Sequence, residues 1–144
     1  MARSLRGPLL WFLSILVCLG TTRLALSQQK PEGLAQQSSE TWLSLTDSGN
    51  YAESYLEAAQ YFKDSITNDK WQSAMHAARD PLGKVLSRKL KSAAYTKTLP
   101  GVPDGEYVVI QYDTSFEHKP SAVETVAPML DKDSKWRVSG YFIS

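Results

Sequence analysis

Apolar residues recur at spacings of three and four in the first half of residues 34–144, and they alternate with polar residues in the second half. Spacings of three and four place side chains on one face of a helix, whereas alternation is typical of a strand with one buried face. The pattern therefore predicts helices first and strands afterwards.

Turn residues divide the helical half into three predicted helices. The first ends near residues 48–49, where a glycine can adopt the left-handed conformation that closes a helix. The second spans 51–66. The third begins at a cap provided by Thr67 or Asn68 and stops at the Asp-Pro-Leu-Gly stretch at 80–83.

Four strands are predicted after the helices. Segment 84–99 is ambiguous, but its β-branched and aromatic residues and its place before a turn favour a strand. The stretch LPGVPDGEYVVIQYDTSF, residues 99–116, begins with turn residues and then alternates cleanly. A strand follows its glycines, whereas a phosphate-binding loop would be followed by a helix, so we expect a hairpin connector. The last two strands cover 122–130 and 136–143.

This order of elements predicts an α+β domain, with three helices packed on one face of a four-stranded antiparallel meander. We place the domain at residues 34–144. The polar segment QQKPEG, residues 28–33, is expected to be a short disordered tether.

The first 27 residues have the features of a secretory signal peptide. Arg3 and Arg6 precede an apolar run at 9–19, and small residues at 25–27 form a cleavage site. An uncleaved anchor is the alternative, although the run is shorter than the roughly 20 residues of a membrane span. We therefore expect a periplasmic or secreted protein that contacts the membrane only through this peptide before cleavage.

Cleavage after Ser27 changes the composition of the remaining chain. The single cysteine, Cys18, is removed, so disulfides, thiolate metal sites and cysteine nucleophiles are excluded. Leu16 and Val17 precede that cysteine where a lipoprotein would have small residues. Three of the 16 basic residues are also lost while all 15 acidic residues remain, which gives a net charge of about −2. No cluster of basic residues without interleaved acids indicates nucleic-acid binding.

The residues of the expected mature chain provide little catalytic chemistry. Motifs for a serine hydrolase, zinc protease, P-loop and EF-hand are absent. His76 and His118 are too isolated to indicate a metal site, which needs three or four converging ligands. A general-base role for His76 has no further support, and we predict no catalytic residues, metal or cofactor.

Aromatic residues at predicted inward positions could form a core or line a pocket. They are Tyr51, Tyr55, Phe62, Trp71, Tyr112, Phe116, Trp136 and Phe142. A core is what a domain of this size needs. Tyr55 and Tyr112 are the candidates for ligand binding, because a buried hydroxyl needs a partner.

Two charged positions have both a functional and a structural interpretation. Asp47 could reach a substrate, but an aspartate between two helices more often caps the second one. Arg88 lies among three lysines that could contact an anion, but we favour the interpretation of a solvated strand edge protected by lysine.

The predicted register divides the strands into two faces. We expect the inward face to hold Val108, Ile110, Tyr112, Val123, Ala127, Met129, Trp136, Val138 and Phe142. The opposite face then exposes more apolar residues than is usual, including Leu130. We predict a protein-partner or homodimer interface there, formed by Val109, Asp113, Glu124, Val126, Pro128, Tyr141 and Ile143, with Glu124 bonded to the Tyr141 hydroxyl.

Four stretches carry a resemblance to a known family. They are TWLSLTDSGNYAESYLEAAQYFKDSI, DKWQSAMHAARDPLGKVLSRKLKSAAY, LPGVPDGEYVVIQYDTSF and VETVAPMLDKDSKWRVSGYFI. Together they resemble the bacterial DUF4019 family, a domain of unknown function in small exported proteins. The helix order and the closing strand are also similar to the NTF2-like, cystatin-like cone. That second likeness implies a helix-lined cavity used for ligand binding, isomerisation, hydrolysis or dimerisation, and neither implies catalytic residues.

Two classes of function remain open. The first is an exported, non-enzymatic binding or protein-interaction module, with a possible small ligand. The second is a small NTF2-like enzyme that uses carboxylate acid/base chemistry in the cone, which predicts a titratable group with a shifted pKa facing a cavity.

Overall fold

A computed structural model describes residues 28–144, and the predicted signal peptide lies outside the described residues. Within them the chain forms helices first and a four-stranded sheet afterwards, as predicted. The helices are α1 (Pro31–Asp47), α2 (Tyr51–Leu56), α3 (Gln60–Ser65) and α4 (Asn68–Arg79), followed by one 3-10 turn (Asp80–Leu82). The strands are β1 (Val85–Thr96), β2 (Tyr107–Phe116), β3 (Lys119–Leu130) and β4 (Trp136–Ile143).

Helix α1 begins at Pro31, so the prediction of a tether up to residue 33 is wrong for its last three residues. Proline is favoured at the first position of a helix, because its φ is already helical and its missing N–H would have no helical partner. The buried stripe of α1 includes Ala35, Trp42 and Leu43, and α1 lies across all four strands.

The second predicted helix is two short helices, α2 and α3, so the prediction of three helices is corrected to four. The chain leaves the helical path at Ala58 and Ala59, which are both buried. The Ala59 N–H donates to the Val138 carbonyl of β4 at 2.8 Å. The apolar spacing continues through this break because the same residues pack inward, which is why periodicity alone did not reveal it.

Ser54 joins three helices at the centre of the helical layer. Its carbonyl accepts from Trp42 Nε1 at 2.7 Å, and its hydroxyl accepts from Trp71 Nε1 at 3.0 Å. The two indole rings lie 6.0 Å apart. Buried tryptophan N–H groups need partners, and a small polar residue in α2 provides them without taking space from the core.

The sheet has the order β1-β2-β3-β4, with every neighbouring pair antiparallel. The α+β class and the meander are therefore confirmed. The glycine- and proline-rich stretch around residues 99–105 connects β1 to β2, which confirms the hairpin connector. Tyr107, at the start of β2, donates to the Pro103 carbonyl of this connector at 2.6 Å.

One irregularity reverses the predicted faces of β3. Tyr112 pairs with Glu124 and Ile110 pairs with Val126, but the register shifts by one residue between Thr114 and Phe116, beside the β2–β3 turn. A shift of one residue exchanges the two faces of a strand. The inward residues of β3 are therefore the even-numbered ones, and the predicted inward placement of Val123, Ala127 and Met129 is wrong.

A second irregularity has the same effect on β4. The register shifts between Val126 and Pro128, opposite residues 139–140. Trp136 and Val138 face the helices as predicted, but beyond the shift it is Tyr141 that does so. Phe142 is 60% exposed, which corrects its predicted place in the core.

The helices cover one face of the sheet, called the inner face here. The other face, called the outer face, carries Val109, Gln111, Asp113, Val123, Thr125, Ala127, Met129 and Phe142. The outer placement predicted for Val109 and Asp113 is correct. The outer placement predicted for Glu124, Val126, Pro128, Leu130, Tyr141 and Ile143 is wrong.

Candidate functional site

Five charged or polar side chains meet where the C-terminal ends of α1 and α4 reach the inner face of the sheet. They are Asp47 at the end of α1, Arg79 at the end of α4, Arg88 on β1, Glu124 on β3 and Tyr141 on β4. We call this group the arginine–carboxylate cluster. It is the candidate site, because it joins two carboxylates, two guanidinium groups and a phenol in one hydrogen-bonded network.

Arg88 bridges the two carboxylates of the cluster. Its Nε and Nη2 donate to Glu124 at 2.6 and 3.1 Å, and its Nη1 and Nη2 donate to Asp47 at 2.8 and 2.9 Å. Two-pronged pairing of a guanidinium with a carboxylate is among the strongest polar contacts in proteins. Arg88 is thus committed to the cluster, which corrects its interpretation as part of a solvated strand edge.

Arg79 closes the cluster from the helical side and is almost fully buried. Its Nη2 donates to Asp47 at 3.0 Å, and its Nη1 donates to the Tyr141 hydroxyl at 3.3 Å. The guanidinium also lies over the Phe116 ring, 4.9 Å from its centre. Asp47 is therefore held by two arginines rather than capping α2, and the predicted capping role is wrong.

Glu124 has no exposed surface, and both of its oxygens are saturated. Besides Arg88, it accepts from the Thr114 hydroxyl at 2.6 Å and from the Tyr141 hydroxyl at 2.6 Å. The predicted bond between Glu124 and Tyr141 is confirmed, but on the inner face. A buried carboxylate requires this degree of pairing, because an uncompensated charge is costly to bury.

Burial and charge fix the protonation states in the cluster. Burial alone would raise the pKa of Asp47, but hydrogen bonds and charge from Arg88 and Arg79 hold this pKa below its ordinary value. Burial and the Glu124 charge raise the pKa of Tyr141 far above its ordinary value. At neutral pH Asp47 therefore keeps its negative charge between the two guanidiniums, and the phenol of Tyr141 remains protonated. This arrangement is suited to fixing positions and leaves neither carboxylate free to accept a proton.

A smaller group lies at the surface beside the cluster. Asp80 accepts from the Tyr51 hydroxyl at 2.9 Å and lies 2.7 Å from His76 Nδ1. The hydrogen bond with His76, followed by that from Tyr51, lowers the pKa of Asp80. Burial and the hydrogen bond to Asp80 raise the pKa of Tyr51 to about 12. Among the described residues, no hydroxyl nucleophile is hydrogen-bonded to His76. His118 is exposed at the β2–β3 turn.

A cavity of about 340 Å³ separates these two groups. Its walls include Asp47, Arg79, Asp80, Lys84 and Glu117. Positive and negative side chains are mixed around it, so its electrostatics favour neither an anion nor a cation. In residues 28–144 no group of three or more potential metal ligands converges.

Other cavities in the described part of the chain include three that lie away from this cluster. One of about 550 Å³ lies between α1 and β4, and one of about 830 Å³ lies between α3 and the loops around residues 103–105 and 131–133. A third of about 380 Å³ is mostly apolar and lies between α4 and the end of β4. Neither Tyr55 nor Tyr112 lines any of these four cavities.

The two tyrosines proposed as ligand-binding residues have different surroundings. The Tyr55 hydroxyl bonds to the Lys63 and Ile66 carbonyls at 3.0 and 2.9 Å, so it ties α2 to the end of α3. The Tyr112 hydroxyl is buried and has no hydrogen-bond partner among the described residues. Both side chains pack with the core, and a role in ligand binding stays a prediction without a cavity to support it.

The sequence reasoning missed Arg79, Thr46 and Thr114 as members of this site. The Arg79 side chain bonds to Thr46 as well as to Asp47, and Thr114 completes the shell of Glu124. An arginine at the end of a helix normally interacts with the helix C-terminus in solvent. Nothing local indicates that the last turn of α4 is buried, since that depends on where the helix docks.

The chain belongs to the DUF4019 family, described as "Protein of unknown function (DUF4019)", whose family model matches residues 38–141. The match extends from α1 to β4 and confirms the family identified from the sequence. No curated protein matches the chain. None of the helices in residues 28–144 has the length and apolar character needed to cross a membrane.

Proposed function

We propose that this protein is exported and acts as a non-enzymatic interaction module that associates through the outer face of its sheet. The observation that carries the proposal is the composition of that face. Val109, Val123 and Ala127 lie on its two central strands with uncharged Gln111 and Thr125, and the exposed Phe142 lies beside them on β4, although the helices lie on the other face. Apolar groups gathered on an uncovered surface favour burial against a partner.

A second copy of the chain is the occupant that the charges favour. Near β1, the outer face carries charges of both signs, on Lys89, Lys91 and Asp113. Lys91 lies 3.8 Å from Asp113. A face without a large excess of one sign can pack against itself without repulsion, and two-fold symmetry requires such self-complementarity.

The cluster gives no support to the alternative of acid/base catalysis. Each of its carboxylates accepts from two or more donors, so neither is available as a general base without breaking an ion pair. Asp80 is the best remaining candidate for acid/base chemistry. One of its oxygens already accepts from the Tyr51 hydroxyl, and the other contacts His76.

Sedimentation velocity on residues 28–144 tests the association. Phe142→Asp should shift the protein towards monomer, because it places a charge on an apolar contact surface. Leu56→Asp is the matched control, since Leu56 is also more than half exposed but lies on α2. A wild type that stays monomeric at high concentration overturns the proposal. Equal effects of the two substitutions on the oligomeric state also contradict association through the outer face.

Export is supported by the charged, apolar and small-residue segments at positions 1–27. Cell fractionation followed by N-terminal sequencing should recover a form that begins near Gln28 outside the cytoplasm. A chain lacking residues 1–27 is the control and should remain inside. Recovery of the intact full-length chain in the cytoplasm contradicts export.

A further inference from the structure

The two edges of the sheet are protected differently. At the β4 edge, the Val138 carbonyl accepts from the Ala59 N–H at 2.8 Å, and the Trp136 carbonyl accepts from the Ser38 hydroxyl at 2.7 Å. At the other edge, β1 pairs with β2 on one side and has no strand on its other side among the described residues. An unpaired strand presents a row of backbone donors and acceptors to solvent.

Two large apolar side chains are exposed on this open edge. Leu86 is 66% exposed and Leu90 is 47% exposed. Leu90 pairs in register with Tyr112, which places it at the rim of the inner face. An edge that offers both backbone hydrogen bonds and apolar side chains has the two components by which extended peptides are recognised.

The charge on this edge is mostly positive. Four lysines lie on or next to β1: Lys84, Lys89, Lys91 and Lys97. Among the described residues, Lys91 is the only one of these four with a carboxylate within 4.0 Å, that of Asp113 at 3.8 Å. Arg88 is turned away into the arginine–carboxylate cluster. The lysines therefore remain available to an acidic partner.

We propose that the β1 edge binds an extended acidic peptide, which adds to the sheet as a fifth strand. Its backbone pairs with β1, its apolar side chains contact Leu86 and Leu90, and its carboxylates pair with the lysines. The register shifts in β1 at 85–87 and 90–92 interrupt the edge, so the regular pairing is expected at Ser87–Leu90.

A second copy of the chain does not fit the same edge. Antiparallel pairing of two β1 strands over the regular segment Ser87–Leu90 would place Lys89 of each copy opposite Arg88 of the other. Like charges directly opposite each other destabilise a strand pair. The lysines thus act against self-pairing while favouring a partner of opposite charge. Lys89 and Lys91 also border the outer face proposed for dimerisation, whereas Leu90 lies at the rim of the inner face.

The probe for the test is a fluorescein-labelled ten-residue peptide in which valine alternates with glutamate. Its partner is the same peptide with lysine in place of each glutamate. Fluorescence anisotropy should show saturable binding of the acidic peptide to residues 28–144 and none of the basic one. Hydrogen exchange should slow on β1 when the acidic peptide binds, because strand addition protects edge amides, and should not change on β4.

Charge-reversal variants locate the binding. Lys89→Glu combined with Lys91→Glu should lower the affinity for the acidic peptide by about fivefold or more. Lys132→Glu combined with Lys135→Glu makes the same change of net charge at the β3–β4 turn and should have little effect. Phe142→Asp should leave peptide binding unchanged, which separates this result from the dimer proposal.

Several outcomes overturn the proposal. They are saturable binding of the basic peptide with equal affinity, equal weakening by the two double variants, and protection that appears on β4 rather than β1. Absence of binding by the acidic peptide at millimolar concentration also overturns it. Self-association that is lost in the Lys89→Glu, Lys91→Glu variant but kept in Phe142→Asp would identify a second copy as the occupant of the β1 edge instead.

Discussion

Arg88 donates two hydrogen bonds to Glu124, from Nε at 2.6 Å and from Nη2 at 3.1 Å, at a position where the carboxylate has no exposed surface. The same guanidinium reaches Asp47 at the end of α1. One arginine on an edge strand therefore ties together the sheet and the longest helix. A buried pair of this kind is strongly destabilising to break, because one charge is left without its partner.

Glu124→Gln tests that relationship directly. Glutamine has nearly the same shape but removes the charge, so Arg88 loses part of its compensation inside the protein. We expect the free energy of unfolding to fall by about 3 kcal/mol, measured by urea denaturation of residues 28–144. Glu53→Gln is the control, since Glu53 is exposed on α2, and it should change stability by less than about 0.5 kcal/mol. Equal effects would mean that the cluster is not a stabilising element.

Tyr141 and Tyr112 allow the contribution of a buried hydroxyl to stability to be compared with and without hydrogen-bond partners. Tyr141→Phe removes a donor from Glu124 and an acceptor from Arg79, and should cost about 1.5 kcal/mol. Tyr112→Phe removes a hydroxyl with no described partner, and should leave stability unchanged or slightly higher. Thermal or urea unfolding measures both. A loss at Tyr112 as large as that at Tyr141 would indicate that the Tyr112 hydroxyl has a partner in solution.

The Asp47 pairing predicts a pH dependence with a definite sign. The pKa of Asp47 is lower in the folded chain, so folding favours its charged form. This contribution to stability is complete above the ordinary carboxyl pKa and is lost as the pH falls through the lower, folded pKa. Asp47→Asn should therefore be destabilising at neutral pH, and its difference from wild type should shrink between about pH 5 and pH 2. Asp104→Asn, at an exposed position in the β1–β2 connector, is the control and should show no such convergence. A difference that grows with acidification contradicts the assigned role.

The sequence predicted the elements better than it predicted their faces, and the reason is physical. Helical and strand periodicities are local, and they located β4 to the residue, β2 almost to the residue and the end of α1 close to Asp47, although not the start of α1. The facing of β3 depends on one irregular residue beside the β2–β3 turn, which leaves no signature in the apolar pattern. The apolar residues whose number seemed too large for an outer face lie on the inner face, which the helices cover.

Glu124 shows why the candidate site was harder to predict than the fold. A glutamate is almost never buried unless it is paired, and nothing near Glu124 in the sequence indicates a partner. Its partner Arg88 lies 36 positions earlier in the chain. Only the docking of α4 and the pairing of the strands bring those charges together, and neither can be read from spacing.

Two valines on β3 test the corrected register. Val126 is fully buried on the inner face opposite Ile110, whereas Val123 lies three positions earlier on the outer face opposite Asp113. Val126→Asp buries a charge without a partner and should destabilise the domain by more than about 4 kcal/mol or prevent folding. Val123→Asp makes the same chemical change at a partly exposed position and should cost about 1 kcal/mol or less. Circular dichroism and urea unfolding measure both, and solution NMR of the Val123→Asp protein would show whether the fold is retained. If Val126→Asp folds normally while Val123→Asp does not, the faces of β3 are reversed and the register originally inferred from the sequence is the correct one.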